Sequence, residues 1–283
     1  MSETTSTINS GEQSPQEVTH EVTLYAEPVF SIGKFTVTNT LINTWAVVLI
    51  IALASLVIRK KIAKVPRGIQ NAFEIIVEGA MNMADSVTGD RRKTEKIFPF
   101  ALSAFLFILL NNWLGLLPGI GSIGWLEQGH GGSVFVPWFR GGTADLNTTL
   151  ALALFAVIGS NIFGLVTVGI MRHLNKYVNV KVLADIPRKL RQEPTILIVN
   201  PIKFFVGIIE IIGEIAKVAS LSFRLFGNIF AGEVLLTSIA VIFAFVLPIP
   251  FMFLEVIVGI IQALIFSMLL LVYFTIASTA EEH

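Results

Sequence analysis

The chain has no cysteine, and its four histidines, His20, His130, His173 and His283, are scattered without metal-ligand spacing. Disulfide frameworks, thiolate nucleophiles and Cys-ligated zinc or iron–sulfur sites are therefore excluded together. Charge is scarce as well: 14% of residues are Asp, Glu, Lys or Arg, 54% are hydrophobic, and the mean hydropathy is +0.76. A soluble domain carries about 25% charged residues. The amino terminus lacks the basic n-region and short apolar core of a signal peptide. Gly119-Ile-Gly121-Ser-Ile-Gly124 has the letters of a dinucleotide fingerprint but follows an apolar span, without the strand and helix that give such a motif meaning. The sequence thus offers no phosphate-binding loop, no cofactor or metal site and no nucleic-acid patch.

What the chain does have is apolar length, and that predicts an all-α polytopic membrane protein. Residues 1–39 read as a polar tail, and residues 40–283 as a single membrane domain. Four runs, 41–58, 98–117, 148–170 and 250–277, each approach the ~20 residues that a spanning helix needs. The stretch 201–247 is too long for one upright crossing, since as a helix it extends about 70 Å at 1.5 Å per residue. Between Ser220 and Val234 there is neither proline nor a run of turn residues, so the expectation is one unbroken, strongly tilted helix. Pro248 and Pro250 then make the turn into a second long, tilted helix at the carboxyl end. The segment 66–87 sets Ile69, Ala72, Phe73, Ile76, Val77 and Ala80 on one side, and Gln70, Asn71, Glu74 and Glu78 on the other. This pattern predicts an amphipathic helix lying in the membrane interface, or a dock for a partner helix.

Fifteen of the twenty Lys and Arg residues fall in two loops, Arg59 to Lys96 and Arg172 to Arg191, whereas 118–147 holds only Arg140. The positive-inside rule makes both basic loops cytoplasmic, placing the amino terminus outside and, with five crossings, the carboxyl terminus inside. A bacterial inner membrane is the expected location. These basic loops are topological signals.

Arg224 is a permanent charge inside an apolar stretch, at a cost of roughly 3 kcal/mol on insertion scales. Glu210, Glu214, Lys217, Asn228, Glu233, Glu255 and Gln262 occupy the same depth range. Such a row of ionisable and amide groups points to an ion path. On a helical wheel, Lys217, Glu210 and Asn228 lie within about 40° of Arg224, and Glu233 lies about 180° away. Glu255 and Gln262, seven apart, share a face of the last helix. Periodicity therefore predicts that the Arg224 stripe meets something outside the chain, while Glu233 faces the Glu255–Gln262 edge. Bland alternatives exist: Arg224 paired to Glu210 or Glu214, Glu233 and Glu255 cross-linking two helices as neutral acids, Lys217 pairing with Glu214, and Asp145 and Asn147 acting as helix caps.

The run Ser220-Leu-Ser-Phe-Arg-Leu-Phe-Gly-Asn-Ile-Phe-Ala-Gly-Glu233, with Ile261-Gln-Ala-Leu-Ile-Phe266 downstream, closely resembles subunit a of F-type ATP synthases. Weaker resemblance runs through Asn111, Asn112, Gly115-Leu-Leu-Pro118 and Thr143-Ala-Asp-Leu-Asn-Thr-Thr149. The resemblance implies an ion-conducting stator with two half-channels, working against a rotor c-ring whose carboxylates pass an arginine matching Arg224. It implies that Asn228 and Glu233 belong to the outer half-channel, that Gln262 faces the arginine, and that Glu210 lies toward the cytoplasmic exit. Glu255 stands where some relatives carry histidine; two nearby carboxylates there would share a proton as a coupled pair. Further implied partners are membrane lipid and peripheral-stalk b subunits, one candidate for the 66–87 helix. The subunit would not be catalytic alone, and its transported ion, H⁺ or Na⁺, is left open because the selecting site lies on the ring. The other classes considered are an ion-coupled secondary transporter and a non-conducting assembly scaffold.

Overall fold

The computed structural model describes residues 23–61, 68–117, 119–129, 132–170, 196–243 and 246–279. Most of the amino-terminal tail, the second basic loop, all four histidines and the Glu281–Glu282 terminus lie outside the described residues. Among the described residues six helices make the body: α1 (Asn39–Lys61), α2 (Ile69–Thr88), α3 (Arg91–Leu116), α4 (Leu146–Val168), α5 (Ile196–Ile242) and α6 (Pro248–Ser278). All except α2 are long and apolar enough to cross a membrane. The protein is an all-α polytopic membrane protein.

Local chemistry fixes the helix ends. Asp90 accepts from the Arg92 amide at 2.9 Å and caps α3; Asp145 does the same for α4 through the Asn147 amide at 3.2 Å. Asn147 is thus a donor to the cap rather than a second cap. Pro248 opens α6 in the first turn, where its missing N–H costs nothing. Helix α5 runs for 47 residues without interruption, starting and ending five residues before the expected 201–247 boundaries. Gly227 and Gly232 lie inside it and do not break it. At about 70 Å it exceeds the ~30 Å hydrocarbon thickness, so it must tilt or project beyond the bilayer.

The helices pack around a shared core. Helix α6 lies against α3 and α4, and α5 lies against α4 and α6. Ile97, Ile108, Ala153, Ala156, Ala263 and Leu270 have no accessible surface. Alanines at the crossings let backbones approach closely, which favours association where lipid offers no hydrophobic contrast. Helix α1 touches the rest mainly through α3 and leaves Trp45, Leu49, Leu53 and Leu56 exposed. Such a surface belongs in hydrocarbon.

Helix α2 carries the apolar stripe that its spacing predicted. Its carboxyl half packs Val77, Ala80, Met81, Ala84 and Val87 into the core, whereas Phe73, Ile75 and Ile76 are exposed. The apolar stripe is real, but the bundle covers only its second half. The described residues also hold two antiparallel hairpins that the sequence reading left out: β1 (Pro28–Ile32) with β2 (Phe35–Thr38), and β3 (Gly124–Gly129) with β4 (Gly132–Pro137). The α3–α4 connection that contains the second hairpin also carries Arg140.

Candidate functional site

Where α3, α5, α6 and the α3–α4 connection meet, a cavity of about 220 Å³ is lined by Asn112, Arg140, Gly141, Glu233, Thr237 and Glu255, among others. It has room for several water molecules and polar groups to hold them. Glu233 and Glu255 therefore share one space, as their helix faces predicted.

Their surroundings differ. Glu233 is gripped by Arg140, whose Nε donates to Oε1 at 2.8 Å and whose Nη2 donates to Oε2 at 2.8 Å. A planar guanidinium matches a carboxylate in this two-point way, and the pair is correspondingly strong and directional. Arg140 is 6% exposed. Its remaining donors reach the Tyr25 carbonyl at 3.0 Å and the Thr23 carbonyl at 2.8 Å, so the amino-terminal segment closes over the pair. Glu255 is equally buried, at 7% exposure, and among the described residues it has no hydrogen-bond or ion-pair partner. Two bare carboxylates in mutual repulsion are therefore not what the cavity holds, because Arg140 supplies a countercharge to one of them.

The cavity wall continues into a buried polar seam. Thr143 Oγ1 donates to Asn112 Oδ1, and Asn112 Nδ2 donates to the Gly259 carbonyl at 3.3 Å, tying the connection to α3 and α6. Asn43 Nδ2 donates to Asn111 Oδ1 at 3.2 Å. Deeper, the Thr149 and Ser222 hydroxyls meet at 3.3 Å between α4 and α5.

Arg224 lies nine residues before Glu233, about 13 Å along the α5 axis. Its side chain is exposed, as is Asn228 one turn on, and the exposed Phe223 adjoins it. The sole hydrogen bond to its guanidinium among the described residues is a long one, from Nη2 to Ser220 Oγ at 3.5 Å. Among the described residues no ion pair engages it. Glu214 takes other partners: Lys217 Nζ at 2.8 Å and Asn161 Nδ2 at 3.3 Å. Lys217 also sits 5.5 Å from the centre of the Tyr273 ring on α6. Glu210 is half-buried farther along the same helix, and Gln262 is buried on α6 without a bond to Arg224. Of the predicted site residues, Glu233 and Glu255 come together; Arg224 and Asn228 stand apart from them on the outer face.

Sequence reasoning named Arg140 and Thr143 but assigned neither to the site. One signal for Arg140 was available, since it is the lone basic residue in 118–147 and stands five positions before the α4 cap.

Comparison with known proteins bears on this geometry. Residues 41–275 match the family described as ATP synthase A chain. A relative named ATP synthase subunit a, from Syntrophobacter fumaroxidans, is 33% identical over 261 residues, covering 91% of this chain and 90% of its own. The protein of the same name from Geobacter sulfurreducens is 32% identical over 240 residues, covering 85% and 87%. That from Moorella thermoacetica is 28% identical over 255 residues, covering 90% and 96%.

Proposed function

The chain belongs to the ATP synthase A chain family, and from that premise we propose that it is the ion-conducting stator subunit of an F-type ATP synthase membrane motor. One observation carries the mechanism: Arg224 presents a permanent charge on the exposed face of a membrane helix, with no carboxylate among the described residues of its own chain paired to it. A charge left bare at that depth calls for an anionic partner from another subunit. The carboxylates of a rotor c-ring fit that need. As each passes, the guanidinium favours its ionised form and sends its proton on, and the same fixed positive charge blocks direct cation leakage.

The cavity at Arg140, Glu233 and Glu255 is the outer half-channel in this reading, where water delivers the ion. Asn228, on the α5 surface between the cavity and Arg224, marks its handover to the ring. Glu210 marks the inner half-channel, and Gln262 lies at the level between. The distribution of Lys and Arg supports a bacterial inner membrane with the amino terminus outside and the carboxyl terminus in the cytoplasm. The uncovered Phe73, Ile75 and Ile76 of α2 suit membrane lipid or peripheral-stalk b subunits at the cytoplasmic face. Coupling to ATP belongs to other subunits of the complex.

Replacing Arg224 by Ala in the assembled complex and measuring ATP-driven ion uptake in inverted vesicles tests the reading. Varying Na⁺ in the same assay separates H⁺ from Na⁺ transport.

A further inference from the structure

The two cavity carboxylates are built for different tasks. Glu233 has both oxygens occupied by guanidinium N–H groups, at 2.8 Å each, with a further contact of 3.1 Å from Nε to Oε2. A proton arriving there must first displace a charge-assisted hydrogen bond, and it would leave the buried Arg140 without its counterion. Glu255 shares the cavity, is the more deeply buried of the two, at 7% exposure against 26% for the Glu233 side chain, and has no such partner among the described residues. Its carboxylate rests against the backbone at Gly232, one residue from the Glu233 anchor. A proton binding to Glu255 breaks no existing bond, and neutralising a buried, unpaired carboxylate removes a desolvation cost.

We propose that Arg140 is a positioning residue of the outer half-channel: it pins Glu233 as a fixed negative charge, so that Glu255 alone picks up and passes on the transported proton. The assignment rests on the stator reading above and applies to proton transport. It also gives the amino-terminal segment a task. The Thr23 and Tyr25 carbonyls take the other guanidinium donors, holding the fork aimed at Glu233. The proton moves from cavity water to a Glu255 oxygen and from there toward the ring carboxylate, with no change at Glu233.

The test is a charge-balance cycle in inverted vesicles carrying the whole complex, with ATP-driven proton uptake normalised to assembled complex. Glu233→Gln alone leaves Arg140 as an uncompensated cation in the water path, and uptake is expected to fall about tenfold or more. The double variant Arg140→Gln with Glu233→Gln removes both charges, and uptake is expected to recover to within a few-fold of wild type. Arg140→Lys, which keeps the charge but loses the fork, should fall between wild type and Arg140→Gln. Glu255→Gln should abolish uptake in every background. A double variant as inactive as Glu233→Gln would overturn the proposal, because Glu233 would then be carrying protons itself. So would a double variant that fails to assemble, which would make Arg140 a loop anchor, or a Glu255→Gln variant that pumps. Arg224→Ala in the same vesicles separates the levels: if it pumps, the stator mechanism fails; if it is silent while the double variant stays inactive, only the Arg140 assignment fails.

Discussion

The Glu255 carboxylate fills the space that a side chain at position 232 would need: a methyl built on Gly232 would collide with both Glu255 oxygens. Helices α5 and α6 therefore meet through a missing side chain at the floor of the cavity, and the glycine sets where the acid sits. Gly232→Ala should displace Glu255 and lower ion uptake by the assembled complex about tenfold, the scale on which small misplacements of a reacting group are felt. Gly213→Ala, in the same helix but with open space around it, should leave uptake near wild type. Equal uptake in the two variants would show that Glu255 placement is unimportant.

Asn112 holds the seam between the loop and α6. Its amide accepts from Thr143 and donates to the Gly259 carbonyl, and all three groups are buried. Asn112→Ala strands a hydroxyl and a carbonyl, at a cost of about 1–3 kcal/mol. The expected result is a lower melting temperature of the purified complex, with a smaller effect from the exposed neighbour Trp113→Phe.

Lys217 is a structural cation. It pairs with Glu214 three residues away and lies over Tyr273, bridging α5 and α6. Lys217→Met should cost stability on the order of 1 kcal/mol, as membrane polar contacts do, and leave uptake by the assembled complex largely intact. Abolished uptake at normal assembly would place Lys217 in the ion path.

Asp85, at the end of α2, is held below the ordinary aspartate range by the Thr94 hydroxyl and then by Arg91, whose Nη1 lies 2.5 Å from its carboxylate. A depressed carboxylate stabilises the folded state above its unfolded value of ~4, and that contribution is lost as the pH falls through the lower, folded value. Asp85→Asn should therefore melt earlier than wild type at pH 7, with the difference shrinking below about pH 4. A difference that is constant across pH would contradict the assignment.

Much of this architecture is legible in the sequence, because a bilayer imposes one physical length on every crossing. Runs near twenty apolar residues gave the spans, and the lack of turn residues between Ser220 and Val234 gave the unbroken α5. The helical period also placed Glu233 and Glu255 toward one space and Arg224 away from it. Period alone does not tell which part of a stripe the rest of the bundle covers: on α2 it covers Val77 and Ala80 and leaves Phe73 and Ile76 exposed. The Arg140–Glu233 pair spans 93 positions, and no local pattern encodes a contact made by a loop. The hairpins were hidden for a similar reason: their strands are four to six residues long and rich in polar or glycine positions.

The central claim is that Arg224 acts on a charge carried by another subunit. ATP-driven ion uptake by inverted vesicles with wild type or Arg224→Ala, each normalised to assembled complex, tests it most directly. The account predicts that the variant assembles and uptake disappears, with Arg224→Lys recovering little because a point charge does not reproduce the guanidinium fork. Normal uptake by an assembled Arg224→Ala complex would contradict it, and would leave Arg224 as a contact residue between subunits.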